Sequence, residues 1–350
     1  MKIIHLTYSM QLGGIETMLV NIVNAQCESD KLILMILNDD YDDALVAKVS
    51  PKVKVINVGR KLGSKNPFDI VRLNYILFSN RPDILHVHHP SLIRLIARNI
   101  MHCKIIFTMH DVPLPEDLPW LPKFKHICAI SKSVQSALTK QGYDSHLVEN
   151  GIDFEGFEKR TIDKEEVFRI IQVGRLVMDK KGQDIAIRAI KILIDKGIKN
   201  LSLDIVGDGP DKKSLQNMIV ELGLTEHIHL TGSHTQEWLQ QHYKDYSFFI
   251  QPSRFEGFGL TVAEAIASKV PVLVSDQEGP MEIIKDGIYG FCFKTGDVED
   301  CARQLMNVMA TDNVKEITES AYNYAVNKYS VKRTATDYLI YYQRVLRAEA

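Results

Sequence analysis

The sequence predicts an α/β protein made of two doubly wound domains. Three observations predict it. Short β-rich apolar runs alternate with longer stretches of helical period, the alternation lapses once near 153–167 into charged, poorly periodic chain, and it then begins afresh. Strand–helix alternation of this kind marks a parallel sheet with helices on both faces. No repeat of 20–50 residues interrupts it.

In chain order, the first series reads KIIHLTY then a helix over 15–27, KLILMIL then 43–49, DILHVHH then 91–100, KIIFTM, and HICAI then 132–141. The second reads FRIIQVGRL, LSLDIVG at 201–207, HIHLTG at 227–232, YSFFIQPS at 246–253, VPVLVS at 270–275 and GFCF at 290–293, with helical stretches such as 183–195 and 260–268. After Ser330, an N-cap type, the amphipathic VKRTATDYLIYYQRVLR predicts a final helix. Ligands of such folds bind outside the carboxyl ends of the strands, so two facing halves would form a cleft.

With 350 residues, 45% hydrophobic and 25% charged, the chain suffices for two ordinary domains with sizeable cores. Lys+Arg 42 against Asp+Glu 44 leaves a net charge of −2, so no global excess points to nucleic acid. Five scattered cysteines with no C-x-x-C spacing fit neither a disulfide framework nor a zinc knuckle, and suit a reducing cytosol. No apolar run nears the ~20 residues of a membrane span, and the start lacks a signal-peptide pattern, so the expectation is a cytoplasmic protein.

Four motifs carry chemistry. Gly13 and Gly14 lie between the first strand and a helix, where bare amides suit a phosphate, or simply a tight turn. VGRLVMDKKGQD places Arg175 just past a strand and Lys181 before a helix; a guanidinium and an ammonium suit a diphosphate, though both also read as solvated cations. In RFEGFGLTVAEAIASK, Gly257 and Gly259 precede an alanine-rich helix, and Glu256 and Glu264 bracket the turn. Carboxylates flanking an anion site suit paired sugar or ribose hydroxyls. FTMHDVP ends a strand at His110 and Asp111, where a cleft residue is expected, although a lone histidine is more commonly structural.

His86 and His88 share a strand face, but no third ligand is evident for a metal. No G-x-G-x-x-G with its downstream acid follows the first strand, GDGPDK lacks the third glycine, and no P-loop occurs. Asp40 and Asp42 match a D-x-D metal motif but sit in the acidic run NDDYDD and read as a solvated turn.

Taken together, LGGIE, FTMHD, AISKSV, VENGID, VGRLVMDKKGQD, LDIVGDGP, IHLTGS, Glu256-GFGLTVA-Glu264 and GPMEIIKDGIYGF resemble the GT-B glycosyltransferases of the large retaining family 4. The resemblance implies a GT-B fold: an acceptor-binding Rossmann-like domain at 1–160, joined by a returning helix at 331–350, and a nucleotide-sugar-binding domain at 161–330. It implies that Arg175 and Lys181 hold the donor diphosphate, with amides near Gly257, Phe258, Gly259 and Leu260 and with Gly13 and Gly14. Glu264 would take the ribose, Glu256 the transferred sugar, and His110 would sit beside the reacting centre. Gly207, Gly209 and the loop after Gly232 would border the base. Six steps separate Arg175 from Lys181 where many members have five, which leaves Lys180 as the alternative phosphate ligand.

The implied reaction is metal-independent, cofactor-free retaining transfer from a UDP- or GDP-sugar to a glycan or lipid-linked acceptor in cell-surface polysaccharide assembly. The competing classes are a non-hydrolysing sugar-nucleotide epimerase and a silent sugar-nucleotide-binding protein. The window 44–68 holds Lys48, Lys52, Lys54, Arg60, Lys61 and Lys65 and no acid. KVKVINV suggests a strand with Lys52 and Lys54 on one side, and a basic loop beyond it could meet an anionic membrane at the inner face of the plasma membrane, or be ordinary solvated loop.

Overall fold

A computed structural model describes residues 1–11, 13–98, 102–161 and 167–348. The chain divides into two units, Met1–Ile152 with Tyr329–Ala350, and Asp153–Lys328. The divide falls ahead of the charged lapse because the chain just after it packs with the second unit. Phe157 meets Tyr243, the Glu158 amide donates to the Gln240 carbonyl at 2.9 Å, and the Arg160 amide donates to the Ser268 carbonyl at 2.8 Å.

The first unit holds a parallel sheet of β1 (Lys2–Thr7), β2 (Lys31–Asn38), β3 (Lys54–Arg60), β4 (Ile84–Val87), β5 (Lys104–Met109), β6 (His126–Ala129) and β7 (His146–Leu147), in the order β3-β2-β1-β4-β5-β6-β7. Seven of the eight residues of KLILMILN in β2 are buried, as expected of a strand covered on both faces. The strand order reverses direction between β1 and β4, which is where open parallel sheets place their ligands.

The final helix, Val331–Ala348, belongs to this unit, and its Val331, Tyr338, Tyr342 and Val345 join the core of helix Gly14–Gln26. Gly151 is required at its docking point, since a Cβ there would lie 2.5 Å from Thr334 Oγ1 and 2.6 Å from the Ser330 carbonyl. Two expectations change. The segment after β4 is a short 3₁₀ turn, Pro90–Leu95, rather than a longer helix, and residues 99 and 100 lie outside the described chain. β3 starts only at Lys54, and Lys52 sits in the preceding turn, ion-paired with Glu28 at 2.7 Å.

The second unit repeats the scheme with β8 (Phe168–Val173), β9 (Leu201–Val206), β10 (Ile228–Gly232), β11 (Phe248–Gln251), β12 (Val272–Ser275) and β13 (Phe291–Phe293), parallel and in the order β10-β9-β8-β11-β12-β13. Helix Gln183–Asp195 buries Ile185, Ala186, Ile187, Ala189, Ile190 and Leu193 against this sheet's core. Here the reversal point lies between β8 and β11, so the residues just past these two strands converge.

Candidate functional site

In the second unit, the chain leaving β8 carries Gly174 and Arg175, and the chain leaving β11 carries Ser253 and Glu256. Lys181 Nζ lies 2.6 Å from Glu256 Oε2. Gln251 Nε2 donates to the same oxygen at 2.7 Å, and Thr261 Oγ1 donates to Gln251 Oε1 at 3.1 Å. Ser253 Oγ donates to Glu256 Oε2 at 3.5 Å, so that oxygen has three donors, one of them charged. Among Lys180 and Lys181, it is Lys181 that points to this cluster, lying against Gly174 on the way. The Lys180 carbonyl instead anchors the Arg254 amide at 2.8 Å.

Backbone anchoring holds the cationic loop. Gln183 Nε2 donates to the Arg175 carbonyl at 3.0 Å, and Gln172 Nε2 to the Lys181 carbonyl at 3.2 Å. Arg254 grips Asp184 with both guanidinium nitrogens at 2.8 Å and also donates to the Met178 carbonyl at 2.8 Å. The Arg175 side chain is exposed and makes no hydrogen bond or ion pair among the described residues.

Gly207 and Gly209 have a structural duty that their spacing did not reveal. A Cβ on Gly207 (φ +142°) would stand 2.0 Å from the Gly174 carbonyl, and one on Gly209 would stand 2.4 Å from the Leu176 carbonyl. These glycines let the loop after β9 lie directly on the loop that carries Arg175.

Gly259, at φ +103°, caps helix Leu260–Ala267, and no side chain accepts from the first amides of that helix. Phe258 is a core residue at 3% exposure. Glu264 lies one turn further along and is buried at 8% exposure. Tyr243 OH donates to its Oε2 at 3.1 Å and Gln236 Nε2 to its Oε1 at 2.9 Å. Burial pushes its pKa up to about 7, against the opposing effect of these two donors. Gln236, in the segment after Gly232, and Tyr243 escaped the sequence reading because nothing in their local pattern points to Glu264.

In the first unit, Gly13 is extended at φ −167° and Gly14 opens helix Gly14–Gln26. Glu16 folds back over Gly13, and burial raises its pKa. His110, just past β5, is drawn into a buried imidazole array. His110 Nε2 lies 3.0 Å from His88 Nδ1, His88 Nε2 2.9 Å from His5 Nδ1, and His5 Nε2 2.8 Å from Gln26 Oε1. Alongside, His86 Nδ1 meets Tyr342 OH at 2.6 Å, and Thr108 Oγ1 bridges His86 Nε2 at 2.7 Å to Tyr338 OH at 3.0 Å.

His5 supplies the third imidazole that DILHVHH alone did not show; nitrogens of His5, His86 and His88 lie within 4.8 Å of one another. All six ring nitrogens already have hydrogen-bonding partners: His5 and His88 lie in one chain with His110, and His86 bonds separately to Tyr342 and Thr108. Burial lowers the pKa of His5 and of His110 to about 4, and those of His86 and His88 well below the usual value. Asp42 accepts from the Leu45 amide at 2.9 Å and caps helix Asp43–Val46, which accounts for part of the D-x-D run.

The family description "Glycosyl transferases group 1" matches residues 153–327, and "Glycosyltransferase Family 4" matches 12–155. Among curated relatives, the sulfoquinovosyl transferase of Arabidopsis thaliana is 27% identical over 293 residues, 73% of this chain and 55% of its own length. The GDP-mannose-dependent alpha-(1-6)-phosphatidylinositol monomannoside mannosyltransferase of Mycolicibacterium smegmatis is 36% identical over 138 residues, 37% of this chain and 34% of its own. The chain therefore spans about half the length of the first of these relatives and a third of the second. Among solved structures, the Anabaena protein HepE, in complex with UDP and glucose, superposes with a TM-score of 0.82 at 20% identity over 97% of this chain and 98% of that one. Likeness at this identity carries the fold, which is GT-B.

Proposed function

The chain belongs to the group 1 glycosyltransferases, and from that premise we propose that it moves a hexosyl group from a nucleoside diphosphate sugar to a glycan or lipid-linked acceptor, with retention and without a metal ion. The carrying observation is the convergence of Lys181, Glu256 and the Gly259-capped helix at the β8/β11 reversal, with Arg175 on the adjoining loop. In this reading Lys181, Arg175 and the helix amides gather the charge that develops on the departing diphosphate, where fixed donors act strongly. Glu264 receives the ribose, and Glu256 the hydroxyls of the transferred sugar. The glycosidic bond to phosphate breaks as the acceptor oxygen bonds to the same face of the anomeric carbon, and the acceptor proton leaves with the diphosphate. UDP has support from the ligand of HepE and GDP from the name of the mannosyltransferase. The test is turnover with UDP- and GDP-hexoses in EDTA, with the product anomer read by NMR. Loss of activity that added Mg²⁺ restores would overturn the metal-free reading, an inverted product the retaining one, and release of an altered nucleotide sugar without acceptor would favour an epimerase.

Our reading of the acceptor is a lipid-linked one met at an anionic membrane surface. Helix Pro67–Asn80 buries Leu73, Asn74 and Leu77 but exposes Phe68 (75%), Val71 (63%), Tyr75 (72%) and Phe78 (49%) along its opposite side. Exposed Leu62, Lys61 and Lys65 lie in the loop that leads into it. Apolar rings beside mobile ammonium groups suit an anionic headgroup layer. Among the described residues no helix is long and apolar enough to cross a membrane. Arg60, by contrast, is engaged with Asn38 and Ser64. Co-sedimentation with phosphatidylglycerol vesicles should weaken in Phe68→Ser/Tyr75→Ser and in Lys61→Gln/Lys65→Gln, and in high salt. Binding indifferent to all three, or self-association that the aromatic changes abolish, would overturn the surface assignment.

A further inference from the structure

We propose that Gln26, His5 and His88 are positioning residues that set His110 in its Nε2–H tautomer, so that His110 Nδ1 is presented as a hydrogen-bond acceptor for a sugar hydroxyl. The inference rests, for the ligand, on the reading of His110 given above. The tautomer itself follows from the array with Gln26 Oε1 set against His5 Nε2.

A neutral imidazole carries one N–H and one lone pair, and each nitrogen–nitrogen contact in a chain needs one of each. Gln26 Oε1 can only accept, so His5 Nε2 carries the proton in that 2.8 Å contact. His5 Nδ1 is then an acceptor, which obliges His88 Nε2 to donate across 2.9 Å. His88 Nδ1 accepts in turn, and His110 Nε2 donates to it across 3.0 Å. One amide oxygen on helix Gly14–Gln26 thereby decides the proton position on a residue beyond β5. The last atom of the series, His110 Nδ1, is buried and has no partner among the described residues. Gln26 Nε2, at the opposite end of the chain, is likewise buried and without a partner among the described residues. A buried acceptor left over at the His110 end is a group that wants a donor, and the hydroxyl of a sugar supplies one.

Position supports the same assignment. His5 lies in β1, His88 just past β4 and His110 just past β5, three neighbouring strands at the reversal point of the sheet. The His86–Thr108–Tyr338 branch runs beside the array but donates nothing to His110, so it serves as an internal control.

The test uses the full chain labelled with ¹⁵N-histidine, in which ring-nitrogen shifts distinguish the two tautomers, together with donor kinetics. His110 should show the Nε2–H form. His88→Gln, which can still accept and donate, should keep it, whereas His88→Leu should give a mixture and lower kcat roughly two- to tenfold, the effect of one neutral hydrogen bond. Gln26→Leu should have the same spectral effect from a site remote from His110, and covers the case of a His88→Leu chain that does not fold. Thr108→Val should leave the His110 spectrum unchanged. An Nδ1–H form in the unmodified protein, or a spectrum indifferent to both His88→Leu and Gln26→Leu, overturns the proposal. Unchanged turnover in His110→Ala would instead overturn the role given to His110, with the tautomer result still standing as a separate measurement.

Discussion

Lys181 Nζ and Glu256 Oε2, brought together from the exits of β8 and β11, form an ion pair of 2.6 Å with side chains only 23% and 14% exposed. The two residues assigned to phosphate and sugar therefore interact with each other, and neither can be changed without altering its partner.

Lys181→Ala should lower turnover by ~10²-fold or more, as removal of a single preorganised stabiliser does. Glu256→Ala should lower turnover comparably yet bind free nucleoside diphosphate as tightly as the unmodified protein or tighter, because a competing anion beside the lysine is gone. Calorimetry with UDP and GDP checks this; a large loss of nucleotide affinity in Glu256→Ala would refute the arrangement.

Glu264 predicts a pH dependence. With its pKa near 7, the carboxyl is largely protonated at pH 6 and ionised at pH 8. A carboxylate accepts paired hydroxyls better than the acid does, so nucleotide affinity should rise through this window and binding should release a proton. Below the pKa the loss approaches about tenfold per pH unit at its limit. Glu264→Gln should flatten the profile.

Acid should destabilise the fold through the histidine array. Because His5, His86, His88 and His110 have folded pKa values below the unfolded one, the unfolded chain takes up protons that the native array refuses as pH falls from ~6.5. Each contributes up to ~1.4 kcal/mol of lost stability per pH unit, down to about pH 4 for His5 and His110. For His110, nearby His89 adds to the depression and Asp111 opposes it. Glu264, raised to about 7, acts in the opposite sense between its unfolded value and 7 and offsets one proton. Urea unfolding at pH 7, 6 and 5 should show the decline, shallower by one proton in His88→Gln.

Gly207→Ala should destabilise the second unit by about 2–4 kcal/mol, since it combines a backbone region reserved for glycine with a direct clash against the Gly174 carbonyl. Relief would have to come from displacing the loop of Arg175, so turnover should fall with stability. A Gly207→Ala protein with unchanged melting temperature and activity would show that the loop is free to move.

Much of this protein was legible in the sequence, because strand and helix periods, glycines at turns and the Glu256–Glu264 spacing are local properties. KLILMILN reads as a buried strand without reference to anything else, and 183–195 reads as the helix it forms. What only the tertiary structure decided was pairing across the sheets. His5 and His88 are separated by 83 residues yet lie 2.9 Å apart, because parallel sheet order puts β1 beside β4. The same holds for Lys181 and Glu256 across β8 and β11, and for Gln236 and Tyr243 on Glu264. Lys52 looked like part of a strand because alternation is a one-dimensional signal, whereas its partner Glu28 belongs to another turn. Gly207 also has a packing duty that its spacing does not show, since only the fold places the Gly174 carbonyl against it. Periodicity specifies which face of an element is buried; the neighbour that face meets, and hence the proton and charge state of the buried groups, follows from long-range packing.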